Sequence, residues 1–192
     1  PVGSWACGGA PMPVALLERY AARGVVIRQG MGLTETSPTV FLTDEAHAIS
    51  KVGSVGKPAL HTEIRVVDEE GTDVDVDEVG ELWVRGPNVT PGYWDRPEAN
   101  ESSFTDGWLH TGDAARIDAD GYVFIVDRWK DMYISGGENV YPAEVEQVYF
   151  HHPNVADVAI IGVPDERWGE AGVAVVVLRH AEVCIGVGVR GV

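Results

Sequence analysis

Residues 127–146 read DRWKDMYISGGENVYPAEVE. Two adjacent glycines, Gly136 and Gly137, precede Glu138 and Asn139, and Tyr141-Pro142 leads into a run with helical character. Pro142 suits a first helical turn, Glu144 and Glu146 suit the positive end of the helix, and Val145, Val148 and Tyr149 are predicted to form its buried face. The stretch ahead of the helix reads as a hairpin. An ordinary turn uses Gly-Gly or Asn but tolerates alanine at one position, so the glycine pair is expected to do more than reverse the chain.

The texture differs on the two sides of this segment. Downstream, VADVAIIGVPD and VAVVVL predict two strong strands. Upstream, between Val52 and Val126, EIRVVD, GELWVRG and GYVFIVD predict short strands bounded by turn clusters, a compact β-rich region. Further upstream, Pro13 to Arg23 predicts an amphipathic helix with Val14, Leu17 and Tyr20 on one face and Gly24 at its end. VVIRQG then predicts a buried strand running into the loop MGLTETSP. Helix, strand and glycine loop is the pattern of an α/β sheet whose ligands lie at strand ends. The change of texture predicts a domain boundary near Asp127 to Lys130, giving domains 1–127 and 128–192.

Composition narrows the function classes. With 192 residues, 45% hydrophobic and 23% charged, the chain is globular rather than disordered. A net charge of −16 opposes nucleic-acid binding, so an anionic ligand must be held locally by amides, a few cations or a metal ion. Much of the acidic excess lies in DEEGTDVDVDE, Asp68 to Glu78, which is expected to be a solvated hairpin loop. Cys7 and Cys184 lie far apart without metal-ligand spacing, which suits a reducing cytoplasm. No apolar run is long enough to cross a bilayer, and the first residues lack both signal-peptide character and an initiator Met, so the chain is expected to begin inside a longer one.

Four segments could carry chemistry: GGAPMP (Gly8 to Pro13), QGMGLTE (Gln29 to Glu35), HTGD (His110 to Asp113) and the opening stretch. Each has an ordinary reading by itself. The first is a turn before a helix, Thr34-Glu35 is a helix start, and TGD is a common turn tripeptide.

In this order and spacing the four segments resemble the adenylate-forming superfamily, and within it the fatty-acid and aryl acyl-CoA synthetases. The resemblance covers about Val2 to Leu178. It implies a mixed α/β and α+β fold: the last part of a large domain, with an α/β sheet edge and a β-barrel-like region, followed by the start of a small α+β domain. It implies an acid–thiol ligase that uses ATP and Mg²⁺ to convert a carboxylic acid to acyl-AMP, then passes the acyl group to CoA. Other adenylate-forming enzymes, activating amino acids or oxidising like luciferases, remain as alternatives, as does a non-catalytic remnant.

By this resemblance Gly8, Gly9, Ala10 and Pro11, with Gln29, Gly30, Met31 and Gly32, line the nucleotide and acyl pockets. Many relatives carry an aromatic residue where Met31 stands. Thr34 is implied to bond the α-phosphate and Glu35 to hold Mg²⁺, both as catalytic residues, while Asp113 and Arg128 bond the ribose. His110 is read as a packing or turn-capping side chain. Lys130 occupies the implied interdomain hinge, and Gly136, Gly137 and Glu138 form a wall for the pantetheine arm of CoA. The superfamily's phosphate loop and its C-terminal catalytic lysine are expected outside this chain, and RHAEVCIGVGVRGV, residues 179–192, shows no family pattern. The chain alone is therefore expected to adenylate poorly.

Overall fold

The computed structural model describes residues 4–10, 12–179 and 185–189. Its contacts divide the chain into two compact units, Pro1–Ile125 and Val126–Val192.

The first unit opens with β1 (Trp5–Cys7), α1 (Val14–Ala21) and β2 (Ile27–Met31), and β1 pairs with β2 in parallel, Cys7 opposite Gln29. The antiparallel strands β3 (Phe41–Leu42) and β4 (Lys57–Pro58) complete a sheet in the order β1-β2-β3-β4. Gly24 ends the helix as predicted, in the left-handed region at φ +76°, with its N–H donating to Ala21 O. Leu17 is buried, but Tyr20 is 41% exposed and does not join the core face.

A second, antiparallel sheet follows. β5 (Glu63–Val67), β6 (Gly80–Arg85) and β9 (Val123–Arg128) match the three expected strands, and β7 (Phe104–Thr105) and β8 (Trp108–Ile117) join them after the helix α2 (Pro97–Ser103). β8 pairs with β6, β7 and β9. Sequence reading missed β8 because its buried positions include Thr111, Asp113 and Ala114, which hide the usual apolar alternation. TGD is thus no turn. It lies inside β8 where the register against β6 shifts, a bulge with Gly112 at φ +70°. The acidic run forms the β5–β6 connection, with Asp73 paired to Arg65 and Asp77 to Arg116.

One core joins the two sheets: Val40, Phe41 and Val55 from the first part, with Val66, Leu82, Val84, Ala115 and Val123 from the second. Beside it, Ser54 Oγ donates to Val123 O at 2.8 Å and accepts from Gly56 N at 2.9 Å, and Thr43 Oγ1 donates to Ser54 O at 2.8 Å. At the rim, Lys51 is held by Asp118 at 2.7 Å and Asp120 at 2.5 Å. The hydrogen bonds to these carboxylates push its ammonium up to about 12.

In the second unit, β10 (Tyr133–Ser135) and β11 (Glu138–Val140) form the expected hairpin, and α3 (Pro142–Phe150) follows. β12 (Val155–Asp165) and β13 (Gly169–Leu178) are the two predicted strong strands, paired over their length, and β14 (Ile185–Val189) adds to β13. The core is Tyr133, Val155, Val158, Ile160 and Ala174, with Val145, Tyr149 and Phe150 of the helix against it. Val148 is 71% exposed, so Phe150 rather than Val148 completes the buried face. Gly162 pairs with Gly172, and the Tyr133 ring fills the space over both, where a Cβ would collide with it. Glu146 does not serve the helix start. Its Oε1 accepts from Ile160 N at 2.9 Å. The helix start is capped instead from the distance by Asp127, whose Oδ2 accepts from Ala143 N at 2.7 Å.

Replacing Ser54 by Ala leaves the buried Gly56 N–H without its partner, so Ser54→Ala should cost about 1–3 kcal/mol in chemical unfolding. The exposed Ser50→Ala should stay within about 0.5 kcal/mol of the parent.

Candidate active site

The carboxyl ends of the parallel strands β1 and β2 place Gly8–Ala10 and Gly32–Ser37 side by side, the position where open α/β sheets hold ligands. Pro11 lies outside the described residues. Three of the glycines are explained by backbone contact. A Cβ at Gly8 would stand 3.0 Å from Gly30 O, one at Gly30 would stand 2.9 Å from Phe41 O, and one at Gly32 would collide with the Pro38 carbonyl. Gly9 differs: its φ is +84° and the space beside it is open. Gln29 is buried and accepts a 3.4 Å bond from Met12 N, tying the glycine segment to β2. Met31 packs on the core between the two sheets.

Thr34–Thr36 form a single tight helical turn, with Thr34 exposed and Glu35 half-buried. The fully buried Thr36 holds this turn. Its Oγ1 accepts from Leu33 N at 2.9 Å and lies 3.0 and 3.1 Å from Leu33 O and Pro38 O. A loop after β6, Gly86 to Tyr93, then grips the turn three times. Asn88 Nδ2 donates to Thr36 O at 3.1 Å, Thr90 N to Glu35 O at 2.8 Å, and the Tyr93 hydroxyl to Glu35 Oε1 at 2.9 Å. Burial first, then the neighbouring Glu35 carboxylate, push the Tyr93 phenol above its ordinary range, which keeps it a donor.

Asp113 is buried in the β8 bulge, where its N–H donates to Thr111 Oγ1 at 3.1 Å while Thr111 donates to Leu82 O at 2.7 Å. His110 packs, as expected: its ring stacks on Trp83 at 4.1 Å and its Nε2 meets Thr105 Oγ1 at 3.0 Å.

The remaining assigned residues lie in the second unit. Arg128 ends β9 and Lys130 is exposed in the short turn Trp129–Asp131. Gly136 and Gly137 are the two loop residues of the β10–β11 hairpin, at φ +64° and +89°. Both loop residues lie at positive φ, where alanine is strained and Gly or Asn is not, so the turn itself accounts for the pair and does not tolerate alanine at one position as expected. The two are not equivalent. Gly136 donates to Trp168 O at 2.8 Å, and a Cβ on it would stand 2.8 Å from the Trp168 ring, whereas Gly137 has open space. Glu138 is exposed beside them.

The AMP-binding enzyme family model matches residues 2–94, and that of the AMP-binding enzyme C-terminal domain matches residues 144–187. The chain belongs to the AMP-binding enzyme family. A feruloyl-CoA synthase of Amycolatopsis is 53% identical over 89% of this chain and 35% of its own length. A long-chain-fatty-acid–CoA ligase of Mycobacterium tuberculosis is 46% identical over 92% of the chain and 35% of its own length. Among solved structures, o-succinylbenzoate CoA synthetase from Bacillus subtilis with its acyl-adenylate intermediate matches at TM-score 0.88 and 41% identity, covering 95% of this chain and 37% of that one. The same synthetase with ATP and magnesium ion matches at TM-score 0.83 and 41% identity, over 91% and 36% of the two chains. The chain thus spans about a third of the length of the curated relatives it matches, 35% of each. The second match also passes Leu178 and reaches into β14, so the tail is not without family pattern.

The cavities of the first unit lie away from the assigned residues. Cavities of about 180 and 160 Å³ lie at the amino ends of β1 and β2 and beside α1, and neither is lined by an assigned residue. Sequence reading missed Thr36, Asn88, Thr90 and Tyr93, which hold the Thr34–Glu35 turn. The only local signal was the Gly-Tyr pair after a Thr-Pro, which reads as one more turn. Asn tolerates positive φ, so Gly137→Asn should leave unfolding within about 0.5 kcal/mol of the parent. Gly136→Asn, driven against Trp168, should lose about 1–3 kcal/mol by chemical denaturation.

Proposed function

We propose that this chain is part of an ATP-dependent acid–thiol ligase acting on a fatty or aryl carboxylic acid. The observation that carries this reading is the rigidly held Thr34–Glu35 turn at the carboxyl ends of β1 and β2, in a chain whose relatives join acids to CoA. A carboxylate oxygen attacks the α-phosphorus of ATP, pyrophosphate leaves, and acyl-AMP forms. The thiol of CoA then attacks the acyl carbon, AMP leaves, and acyl-CoA forms. Both partners in the first step are anions, so charge neutralisation and positioning dominate the catalysis.

This reading gives each residue a role. Gly9, with a positive φ and open space, lets the backbone turn close to the nucleotide, flanked by Gly8 and Ala10. Thr34 presents an exposed hydroxyl to the α-phosphate. Asp113 bonds the ribose; in the second unit Lys130 serves as hinge, and Gly136, Gly137 and Glu138 border the CoA arm. Gly136 is exposed, and its N–H ties the turn to Trp168 O. Residues 1–127 act as the last part of the AMP-binding domain and 128–192 as the start of the small one.

A magnesium ion fits the donor set. Among the described residues no group of three His, Cys, Asp or Glu side chains could cage a cation, yet a single carboxylate suits Mg²⁺, which keeps several waters and takes substrate phosphates as ligands. Glu35 supplies that carboxylate. With Oε1 engaged by Tyr93, Oε2 has no partner among the described residues. When bound, the ion neutralises phosphate charge.

In the full-length protein, Glu35→Gln should lower ATP–pyrophosphate exchange by about 10²-fold or more, on the order seen when a group that stabilises developing charge is removed, and Asp113→Asn, a weaker acceptor for the ribose, should lower it in the same direction. Exchange should require a fatty or aryl acid. Exchange unaffected by both substitutions, or absent with every such acid, would overturn the proposal.

A further inference from the structure

We infer that Tyr93 is a positioning residue that aims the Glu35 carboxylate, an inference resting on the reading of Glu35 as the cation-holding group. The three bonds from the Gly86–Tyr93 loop to the turn are not alike. Asn88 and Thr90 grip main-chain oxygens, those of Thr36 and Glu35, and these two bonds already hold the backbone. The Tyr93 bond is the one directed at the carboxylate itself, at 2.9 Å from Oε1.

The phenol is itself held in place. Tyr93 N donates to Asn100 Oδ1 at 2.6 Å and Asn100 Nδ2 donates back to Tyr93 O at 3.0 Å, so one amide on α2 clamps both main-chain groups of Tyr93. Asn100 in turn is fixed in the helix, its N–H donating to Arg96 O. The clamp needs Gly92: a Cβ there would stand 2.9 Å from Asn100 Oδ1, at a φ of +142°. Thr90 Oγ1 ties off the same bend by donating to Gly92 O at 3.1 Å. The chain thus commits Thr90, Gly92 and Asn100 to the direction of one hydroxyl.

The chemical consequence lies in the choice of oxygen. A glutamate has three side-chain torsions, and a half-buried one without a partner samples several rotamers. The phenol removes that freedom by taking Oε1, and Oε2 is left without a partner among the described residues, open to a cation. Groups that orient a ligating carboxylate from behind are worth about 10–100-fold in metal affinity or activity. As a positioning residue, Tyr93 acts through Glu35.

The test uses the full-length protein with Mn²⁺ as a spin-active probe, titrated in the presence of a non-hydrolysable ATP analogue. Tyr93→Phe should weaken Mn²⁺ binding by about 10-fold or more. The melting temperature should stay within about 2 °C of the parent. In kinetics, the Mg²⁺ concentration for half-maximal exchange should rise while KM for the acid stays unchanged. Asn100→Ala, which unfastens the loop but keeps the phenol, should give a loss in the same direction. Glu35→Gln is run in parallel. If Glu35→Gln abolishes Mn²⁺ binding while Tyr93→Phe leaves it unchanged, the inference fails and the reading of Glu35 stands. If Glu35→Gln also leaves Mn²⁺ binding intact, the reading fails and the inference with it. A loss of affinity in Tyr93→Phe that comes with a fall in melting temperature beyond that margin marks a structural role and overturns the inference.

Discussion

The hydroxyl of Ser54 is the joint on which the first unit depends. It is 1% exposed, and it bonds Val123 O on one side and Gly56 N on the other. Backbone bonds run alongside, from Val55 N to Val123 O and from Val123 N to Gly56 O. These contacts bring a segment near residue 55 against one near residue 123. The four-stranded sheet with its parallel pair is thereby fastened to the antiparallel sheet. An unpaired polar group in this position would be costly, so the joint is made with complete pairing or not at all. The shared core of Val40, Phe41, Val55, Leu82, Val84 and Val123 closes around it.

That fastening has a consequence for the site. The Thr34–Glu35 turn precedes β3 on the first sheet, while the loop from Gly86 to Tyr93 follows β6 on the second. Only when the sheets are joined can Asn88, Thr90 and Tyr93 reach the turn. The Thr34–Glu35 turn is thus held from both sides: from within by the buried Thr36, and from without by a loop about fifty residues further along the chain. In a chain of net charge −16, an anionic ligand would have to be received by local donors rather than by surface charge.

The glycines show how one residue type carries different physical demands. Gly8, Gly30 and Gly32 allow backbone segments to touch, Gly162 and Gly172 make room for the Tyr133 ring, and Gly136 and Gly137 supply the positive φ of a hairpin loop. Gly9 combines a positive φ with open space beside it, at the end of a parallel strand. Glycine-rich sequence alone does not separate these roles, because the demand at each position is made by atoms distant in sequence.

The sequence by itself determined the family, the order of the strong elements and the residue types at each assigned position. Strand alternation, Pro142 and the segment from Asp127 to Glu146 are local signals, and β5, β6, β9, α3, β12 and β13 form where these signals indicate. Tertiary structure alone decided the rest. It turned TGD from a supposed turn into a bulge within β8, because Thr111 finds its acceptor, Leu82 O, on a neighbouring strand. It exposed Val148 and gave its place to Phe150, and it made Asp127 rather than a nearby residue the cap of α3. It also assigned Tyr93 to Glu35. Periodicity and propensity act over a few residues, whereas a hydrogen bond between residues 35 and 93 exists only once two sheets have packed.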